Sequence, residues 1–185
     1  MKARKAVATT AIVAVMAVLS GLIWVNRARF APLDVGSRAP DYEAFTLDGD
    51  TVPLSSYRGN VVLLNVWATW CRPCVKEMPA MERLHQELKD QGLRVVAVSV
   101  DAPSGGFGDL GQPGGDVRAF AEQLGLTFDI LHDPSGRIQN TYQVHGLPST
   151  FLIDREGRIQ QKVLGPRDWD VGEDAASVRA LLDAP

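Results

Sequence analysis

The chain has 185 residues, of which 45% are hydrophobic and 22% charged. This composition is typical of one folded domain with an additional segment, and it excludes a disordered chain, a collagen-like repeat and a multi-span membrane protein. The formal net charge is −3, and the first 30 positions hold five basic residues and no acid. The rest of the chain is therefore acidic, which excludes nucleic acid as its partner, because binding to phosphates requires a basic face.

The first 30 residues predict a membrane anchor. Residues 6–25 carry no charge and lie between basic residues on both sides, and a helix of that length spans roughly the 30 Å hydrocarbon core of a bilayer. We expect an uncleaved signal-anchor in the lipid bilayer, with a cytoplasmic N-terminus and an extracytoplasmic domain. The alternative is a cleaved signal peptide, whose apolar core is usually shorter, about 7–15 residues, and is followed by a small-x-small site.

Residues 31–42 are predicted to be a linker, and residues 43–185 the domain. A glycine turn between residues 43–47 and 51–54 indicates a β-hairpin. Short apolar runs predict the other strands, at 61–67, 93–100, 128–131, 150–154 and 158–164. Helical spacing predicts helices from Cys71 to just before Gly92 and at 117–125, 135–142 and 174–182. The glycine-rich residues 101–116 are predicted to be a loop insertion, and the element order indicates an α/β fold, a mixed central sheet with helices on both faces.

The chain's only two cysteines, Cys71 and Cys74, carry the strongest chemical signal. A C-x-x-C pair beside a strand–helix–strand pattern is typical of thioredoxin-like redox proteins. Unpaired N–H groups at a helix N-terminus stabilise an anion, so the pKa of Cys71 should be lowered. Cys74 follows within disulfide distance, and Pro73 fits the first turn of a helix. The redox-active disulfide itself would carry the chemistry, with no further cofactor.

Metal binding is the competing interpretation of the same cysteines. A zinc site needs four ligands, and the three histidines have no paired spacing, so we predict no metal site. Of the three, His145 is the one placed to approach the cysteines. The alternative function is therefore a copper-binding chaperone that uses Cys71, Cys74 and His145.

A second motif, Gly146-Leu147-Pro148-Ser149-Thr150-Phe151, has a proline just before a predicted strand, a candidate for a cis peptide bond. Together with Trp70-Cys71-Arg72-Pro73-Cys74 and the preceding strand, it resembles the membrane-anchored TlpA/ResA-type thiol-disulfide oxidoreductases over roughly residues 34–165.

The resemblance implies a thioredoxin fold with an N-terminal β-hairpin addition and an inserted loop. In that family the proline matching Pro148 is cis and faces the disulfide. Many thioredoxins carry a buried aspartate where this chain has Asn65, so another proton acceptor is needed. Glu77 matches an acidic residue of ResA-like proteins, and we predict it to be catalytic together with Cys71 and Cys74.

The predicted substrate-binding residues are Trp70, Arg72, Pro73, Leu147 and Pro148. By resemblance, the function is reduction of protein disulfides on the extracytoplasmic side of a bacterial cell membrane. The implied substrates are the haem-site cysteines of apocytochrome c, as in cytochrome c-type biogenesis, or the copper-site cysteines of an oxidase. The implied electron donor is a membrane protein of the DsbD/CcdA kind.

Overall fold

The computed structural model describes residues 15–22, 24, 33–108 and 111–184, and its contacts divide the chain into two units, residues 1–32 and 33–185. In the first unit, residues 15–22 and 24 are helical. Most of the predicted anchor at 6–25 lies outside the described residues. Within the described ranges, no helix is both long and apolar enough to span a membrane, so the anchor stays a prediction.

The second unit contains one seven-stranded sheet. Its strands are β1 (Glu43–Thr46), β2 (Thr51–Pro53), β3 (Val61–Trp67), β4 (Leu93–Ser99), β5 (Asp129–His132), β6 (Ser149–Ile153) and β7 (Ile159–Leu164). They lie in the order β2-β1-β5-β4-β3-β6-β7. Strands β3, β4 and β5 are parallel, and the other pairs are antiparallel. The predicted mixed sheet is confirmed, with the β1–β2 hairpin added at one edge.

Four helices accompany the sheet: α1 (Arg72–Leu88), α2 (Val117–Leu124), α3 (Arg137–Thr141) and α4 (Gly172–Asp183). Two short 3-10 helices, Leu54–Tyr57 and Lys89–Gln91, complete the regular structure. Helix α1 runs through Pro79 and is followed by Gly92, whose φ of 100° is left-handed backbone that favours glycine.

Strand β3 is buried along its whole length because the sheet is covered on both faces. On one face, Leu63 and Trp67 belong to a core that α1 and α4 complete with Met81 and Val178. On the other face, alternate residues of β3 and β4 pack against α3. Six of the seven residues of β3 are apolar, as a strand with two covered faces requires.

Residues 33–42, which belong to the linker predicted at 31–42, are part of the second unit and pack on its sheet. Leu33 and Tyr42 are buried. The Gly36 N–H donates to the Ile159 carbonyl at 2.7 Å, and the Ile159 N–H donates to the Ser37 carbonyl at 2.9 Å. Strand β7 is the edge of the sheet, so its backbone groups on that side are available to pair with residues 33–42. The irregular sequence of this segment did not predict the pairing.

The glycine-rich insertion forms a small hairpin within its described residues, 101–108 and 111–116. Phe107 and Pro113 form an antiparallel bridge. The Gly108 N–H donates to the Gln112 carbonyl at 2.8 Å, and the Gly114 N–H donates to the Gly106 carbonyl at 2.9 Å. We call the described residues 102–108 and 111–115 the inserted hairpin.

Candidate active site

The two cysteines lie where β3 passes into α1. After β3 the chain makes a turn in which the Cys71 N–H donates to the Ala68 carbonyl at 3.1 Å. Cys71 is the N-cap of α1 and forms a disulfide with Cys74, with their Cα atoms 5.3 Å apart. The side chains differ in access, since Cys71 is 6% exposed and Cys74 is 0% exposed. An incoming sulfur therefore reaches Cys71 first.

The backbone around Cys71 favours a negative charge on its sulfur. The Cys74 N–H points at the Cys71 Sγ at 3.3 Å. The first turn of α1 contains no acidic residue, while Arg72 is exposed at its start. Helix N–H groups and a neighbouring cation favour an anion, so this geometry is compatible with the predicted thiolate of the reduced form.

Glu77 lies one turn after Cys74 on the buried face of α1 and is 1% exposed. Its Oε1 accepts from the Asn65 Nδ2 at 2.8 Å. Its Oε2 accepts from the Arg167 N–H at 3.1 Å and from the Trp169 Nε1 at 3.3 Å. Burial raises the pKa of Glu77 to about 7, although these hydrogen bonds oppose the rise. A carboxyl group with such a pKa can exchange a proton near neutral pH.

The partners of Glu77 come from three distant parts of the chain. Asn65 is in the middle of β3, and its Nδ2 also donates to the Thr150 Oγ1 of β6 at 2.9 Å. Arg167 and Trp169 lie between β7 and α4. Trp169 is fully buried, and its indole N–H also binds the carboxylate.

A buried aspartate holds the turn before Cys71. Asp101 is 0% exposed, and its carboxylate accepts from the Thr69 N–H at 2.9 Å and from the Thr69 hydroxyl at 2.5 Å. It also accepts from the Ser99 hydroxyl at 2.6 Å and from the Gly115 N–H at 3.2 Å. No sequence pattern indicated this role, because Asp101 stands at the start of a predicted loop.

The predicted substrate-binding residues lie at the same end of the sheet. The Leu147–Pro148 peptide bond is cis. Since Ser149 pairs with Val66, Pro148 lies where β6 begins and β3 ends, beside the turn that leads to Cys71. Leu147 packs partly buried against the core that includes both cysteines. Trp70, Arg72 and Pro73 are exposed.

The histidines are dispersed. His145 is exposed, and in the described part of the chain no three His, Cys, Asp or Glu side chains come together as a potential metal site. The three proposed copper ligands are thus not assembled in this disulfide form. The His132 Nε2 is 2.8 Å from the Asp101 carbonyl oxygen, and His85 packs edge-on against Phe128.

Comparison with known proteins gives a consistent result. The model of the AhpC/TSA family matches residues 35–162. The chain is 44% identical over 131 residues to the thiol-disulfide oxidoreductase ResA of Geobacillus kaustophilus, covering 71% of this chain and 70% of that protein. It is also 44% identical over 130 residues to the thioredoxin-like protein YneN of Bacillus subtilis, covering 70% of this chain and 71% of that protein.

Solved structures agree with these sequence relationships. A crystal structure from Chlorobium tepidum, named as a thiol:disulfide interchange protein DsbE, superposes with a TM-score of 0.71 at 35% identity, covering 81% of this chain and 99% of that one. A solution structure from Bacteroides thetaiotaomicron, named as a protein disulfide isomerase, gives a TM-score of 0.65 at 31% identity, with 82% and 92% covered.

Proposed function

The chain belongs to the AhpC/TSA family and is a thioredoxin-like thiol-disulfide oxidoreductase similar to ResA, and we propose that it reduces protein disulfides outside the cytoplasm. The observation that carries the reductase proposal is the arrangement of three side chains on α1. Cys71 is the more exposed thiol at 6%, Cys74 is fully buried, and Glu77 is buried one turn further on. This order suits a nucleophile, a resolving thiol and its base.

The first step belongs to the reduced form of the site. The Cys71 thiolate attacks one sulfur of the substrate disulfide, and the other substrate sulfur leaves as a thiolate. A mixed disulfide joins the protein to the substrate. The Cys74 N–H beside the Cys71 sulfur stabilises its charge before the attack.

The second step releases the substrate. Glu77 takes the proton of the Cys74 thiol, and the resulting thiolate attacks the Cys71 Sγ. The substrate sulfur leaves as a thiolate, so two electrons have passed to the substrate. The Cys71–Cys74 disulfide seen here is the oxidised product of this cycle. In this role Glu77 replaces the buried aspartate of many thioredoxins, whose position Asn65 occupies.

Recognition of the substrate backbone falls to the loop before β6. Backbone groups next to a buried proline at a strand start offer hydrogen bonds to an extended segment, and such strand addition tolerates many sequences. Leu147 is partly buried beside the core that contains the cysteines, and this position supports its backbone as the contact. Substrates would then be selected mainly by an accessible disulfide.

The proposed location rests on the uncharged stretch at residues 6–25, which is followed by basic residues. An extracytoplasmic domain of a bacterial cell membrane receives no cytosolic reductant, so its electrons would come from a membrane donor of the DsbD/CcdA kind. The resemblance to TlpA/ResA-type proteins suggests the substrates, and we propose the cysteines of apocytochrome c or of an oxidase copper site.

Trapping experiments test the reductase proposal. In Cys74→Ser, Cys71 can attack but nothing resolves the mixed disulfide, so partner proteins should accumulate covalently on the full-length chain in its native membrane. Cys71→Ser should trap none, because Cys74 is 0% exposed. The readout is non-reducing gel electrophoresis with mass spectrometry.

Two outcomes would contradict the assignment. Equal trapping by both variants would show that the order of the thiols is wrong. Tight stoichiometric binding of Cu(I) without reduction of insulin disulfides would instead support the copper-binding alternative.

Fractionation tests the location. The full-length chain should stay with membranes after carbonate extraction, and added protease should digest its domain in intact spheroplasts. A mature form that is soluble and starts near residue 21 would refute the anchor.

A further inference from the structure

The mechanism leaves one feature of the molecule unused, a pair of exposed aromatic side chains beside the active site. Phe107, on the inserted hairpin, is 76% exposed, and Trp70, directly before Cys71, is 39% exposed. Both line the same surface groove, which we call the aromatic groove. Large aromatic side chains that remain exposed around a concave surface are typical of binding sites.

The topology explains why the groove lies where it does. Parallel strands β3, β4 and β5 end side by side, and the residues that follow each of them form the groove. Trp70 follows β3, Ala102 and Pro103 follow β4, and Pro134 follows β5. The crevice outside the carboxyl ends of parallel strands is the usual ligand position in α/β sheets.

The hairpin wall of the groove is fixed to the active-site turn. The Asp101 carboxylate binds Thr69, next to Trp70, and also the Gly115 N–H at the end of the hairpin. A Cβ atom on Gly115 would clash with the Thr69 Oγ1, and one on Gly114 would clash with the Pro103 carbonyl oxygen. Glycine at both positions lets the hairpin lie close to the active-site turn, and Asp101 joins the two segments that carry Phe107 and Trp70.

The chemistry of the groove identifies its ligand. Every described residue that lines it is uncharged, and its polar members are amide and hydroxyl side chains such as Gln112 and Gln139. A charged side chain would lose its hydration there without gaining a partner. An aromatic or other apolar side chain would stack on the two rings instead.

We propose that the aromatic groove is a specificity subsite that receives an apolar, preferably aromatic, side chain within two residues of the target cysteine in the substrate polypeptide. The inference rests on the proposed function, since the occupant is part of the protein whose disulfide is reduced. We assign this occupant because the substrate residues next to the reacting cysteine are covalently connected to it and must lie near Cys71. A substrate sulfur joined to Cys71 has its neighbouring residues within about 7 Å along an extended chain, and Trp70 adjoins Cys71.

Matched peptides test the subsite. One peptide is Gly-Trp-Cys-Trp-Gly and the other is Gly-Ser-Cys-Ser-Gly, each carried as a mixed disulfide with 2-nitro-5-thiobenzoate. The Cys71 thiolate attacks the peptide sulfur, the peptide S–S bond breaks, and the nitrothiobenzoate leaves as a coloured thiolate, because the thiol of lower pKa leaves faster. Cys74 then resolves the protein–peptide disulfide and releases the peptide thiolate.

Stopped-flow absorbance with the reduced full-length chain in detergent gives the second-order rate for each peptide. After normalisation to the rates with dithiothreitol, the wild type should prefer the tryptophan peptide by about tenfold, as expected for roughly 1.4 kcal/mol of differential binding. Phe107→Ala should bring this ratio close to one, and Phe107→Leu should give an intermediate ratio. Phe45→Ala, which truncates a phenylalanine that is 41% exposed on β1, is the matched control and should keep the wild-type ratio.

The small aliphatic bis(2-hydroxyethyl) disulfide, which carries no aromatic ring, tests the reductase function apart from the subsite. The wild type and Phe45→Ala should reduce it at equal rates, and absence of this reaction in the wild type would refute the proposed function itself. Normal reaction with an equal rate for both peptides, or an unchanged ratio in Phe107→Ala, would overturn only the subsite. An unchanged ratio together with loss of self-association in Phe107→Ala would assign the groove to a second copy of the chain.

Discussion

Burial changes the proton affinity of the Glu77 carboxyl group. Desolvation of its carboxyl group outweighs three hydrogen bonds that favour the charged form, and the pKa rises to about 7. A solvated glutamate on a helix surface would keep an ordinary pKa and would be a poor proton acceptor for a thiol at neutral pH. The burial of this residue therefore suits it to the proposed role of base.

Replacement of Glu77 by glutamine tests this role in the resolution step. The variant keeps the shape but has no proton acceptor, so attack of Cys74 on the mixed disulfide should slow by at least about tenfold at pH 7. Removing the carboxylate also removes a repelling charge, so the apparent pKa of the Cys74 thiol should fall. Stopped-flow tryptophan fluorescence of the full-length chain between pH 5 and 10, which brackets carboxyl and thiol titration, gives both quantities.

The shape of the pH profile distinguishes a base from a packing role. The wild-type resolution rate should drop as the pH falls through about 7, where Glu77 becomes protonated, and the variant should lack this step. Glu87→Gln is the matched control, because Glu87 is exposed on the same helix and pairs with Arg179 at 2.8 Å. A resolution rate and thiol titration equal to wild type in Glu77→Gln would remove Glu77 from the mechanism.

The inserted hairpin and the active-site turn are joined through one buried side chain. Their common point is Asp101, a carboxylate without solvent contact that accepts hydrogen bonds from Thr69, Ser99 and Gly115. Hydrogen bonds from backbone N–H groups to a buried charged acceptor are among the stronger ones. Loss of the acceptor would leave these donors unsatisfied.

We expect Asp101→Ala to lower the free energy of unfolding by about 3 kcal/mol, because it leaves buried donors without an acceptor. Urea denaturation of the oxidised full-length chain in detergent measures this value. Asp116→Ala is the matched control in the same segment. Asp116 caps α2 through the Ala119 N–H at 3.0 Å, and loss of an N-cap costs about 1 kcal/mol. Equal losses in the two variants would show that the hairpin is not anchored through Asp101.

The elements that could be predicted are those specified by local sequence. Strand β3 matches its predicted bounds, residues 61–67, because both of its faces are buried and every residue had to be compatible with burial. The redox pair was recognisable because four consecutive residues contain both the helix start and the two thiols. Local patterns suffice where one short stretch carries all the constraints.

Long-range contacts could not be predicted in this way. The Trp169 indole meets Glu77 across 92 positions of sequence, and no periodicity connects two such residues. The segment at residues 33–42 looks like a linker because its pairing partner is the edge of β7 and not a neighbour in sequence. The glycine-rich composition of residues 101–116 predicts that Asp101 lies in a surface loop. Only the fold places it under the active-site turn.

At the scale of the whole molecule, a protonated carboxyl group inside the core links stability to pH. In the folded protein Glu77 holds its proton up to a pH of about 7, whereas in the unfolded chain a glutamate loses it near 4.3. The stabilising contribution is therefore complete below pH 4 and is lost as the pH rises to about 7. The cause is that the folded form binds one more proton than the unfolded form over this interval.

The size of this effect follows from the difference between the two pKa values. Relative to Glu77→Gln, the oxidised wild-type chain should lose roughly 3 kcal/mol of unfolding free energy between pH 4.5 and 8, since each pH unit in this interval is worth about 1.4 kcal/mol. Urea titrations of both full-length proteins in detergent under non-reducing conditions measure it. The pKa values of other groups also differ from their ordinary values: hydrogen bonds lower those of Asp41 and Asp170, and burial lowers that of His85. These shifts are common to both proteins, so their effects on stability cancel in the difference. Parallel pH profiles of the two proteins would show that Glu77 is already ionised in the folded core at acidic pH.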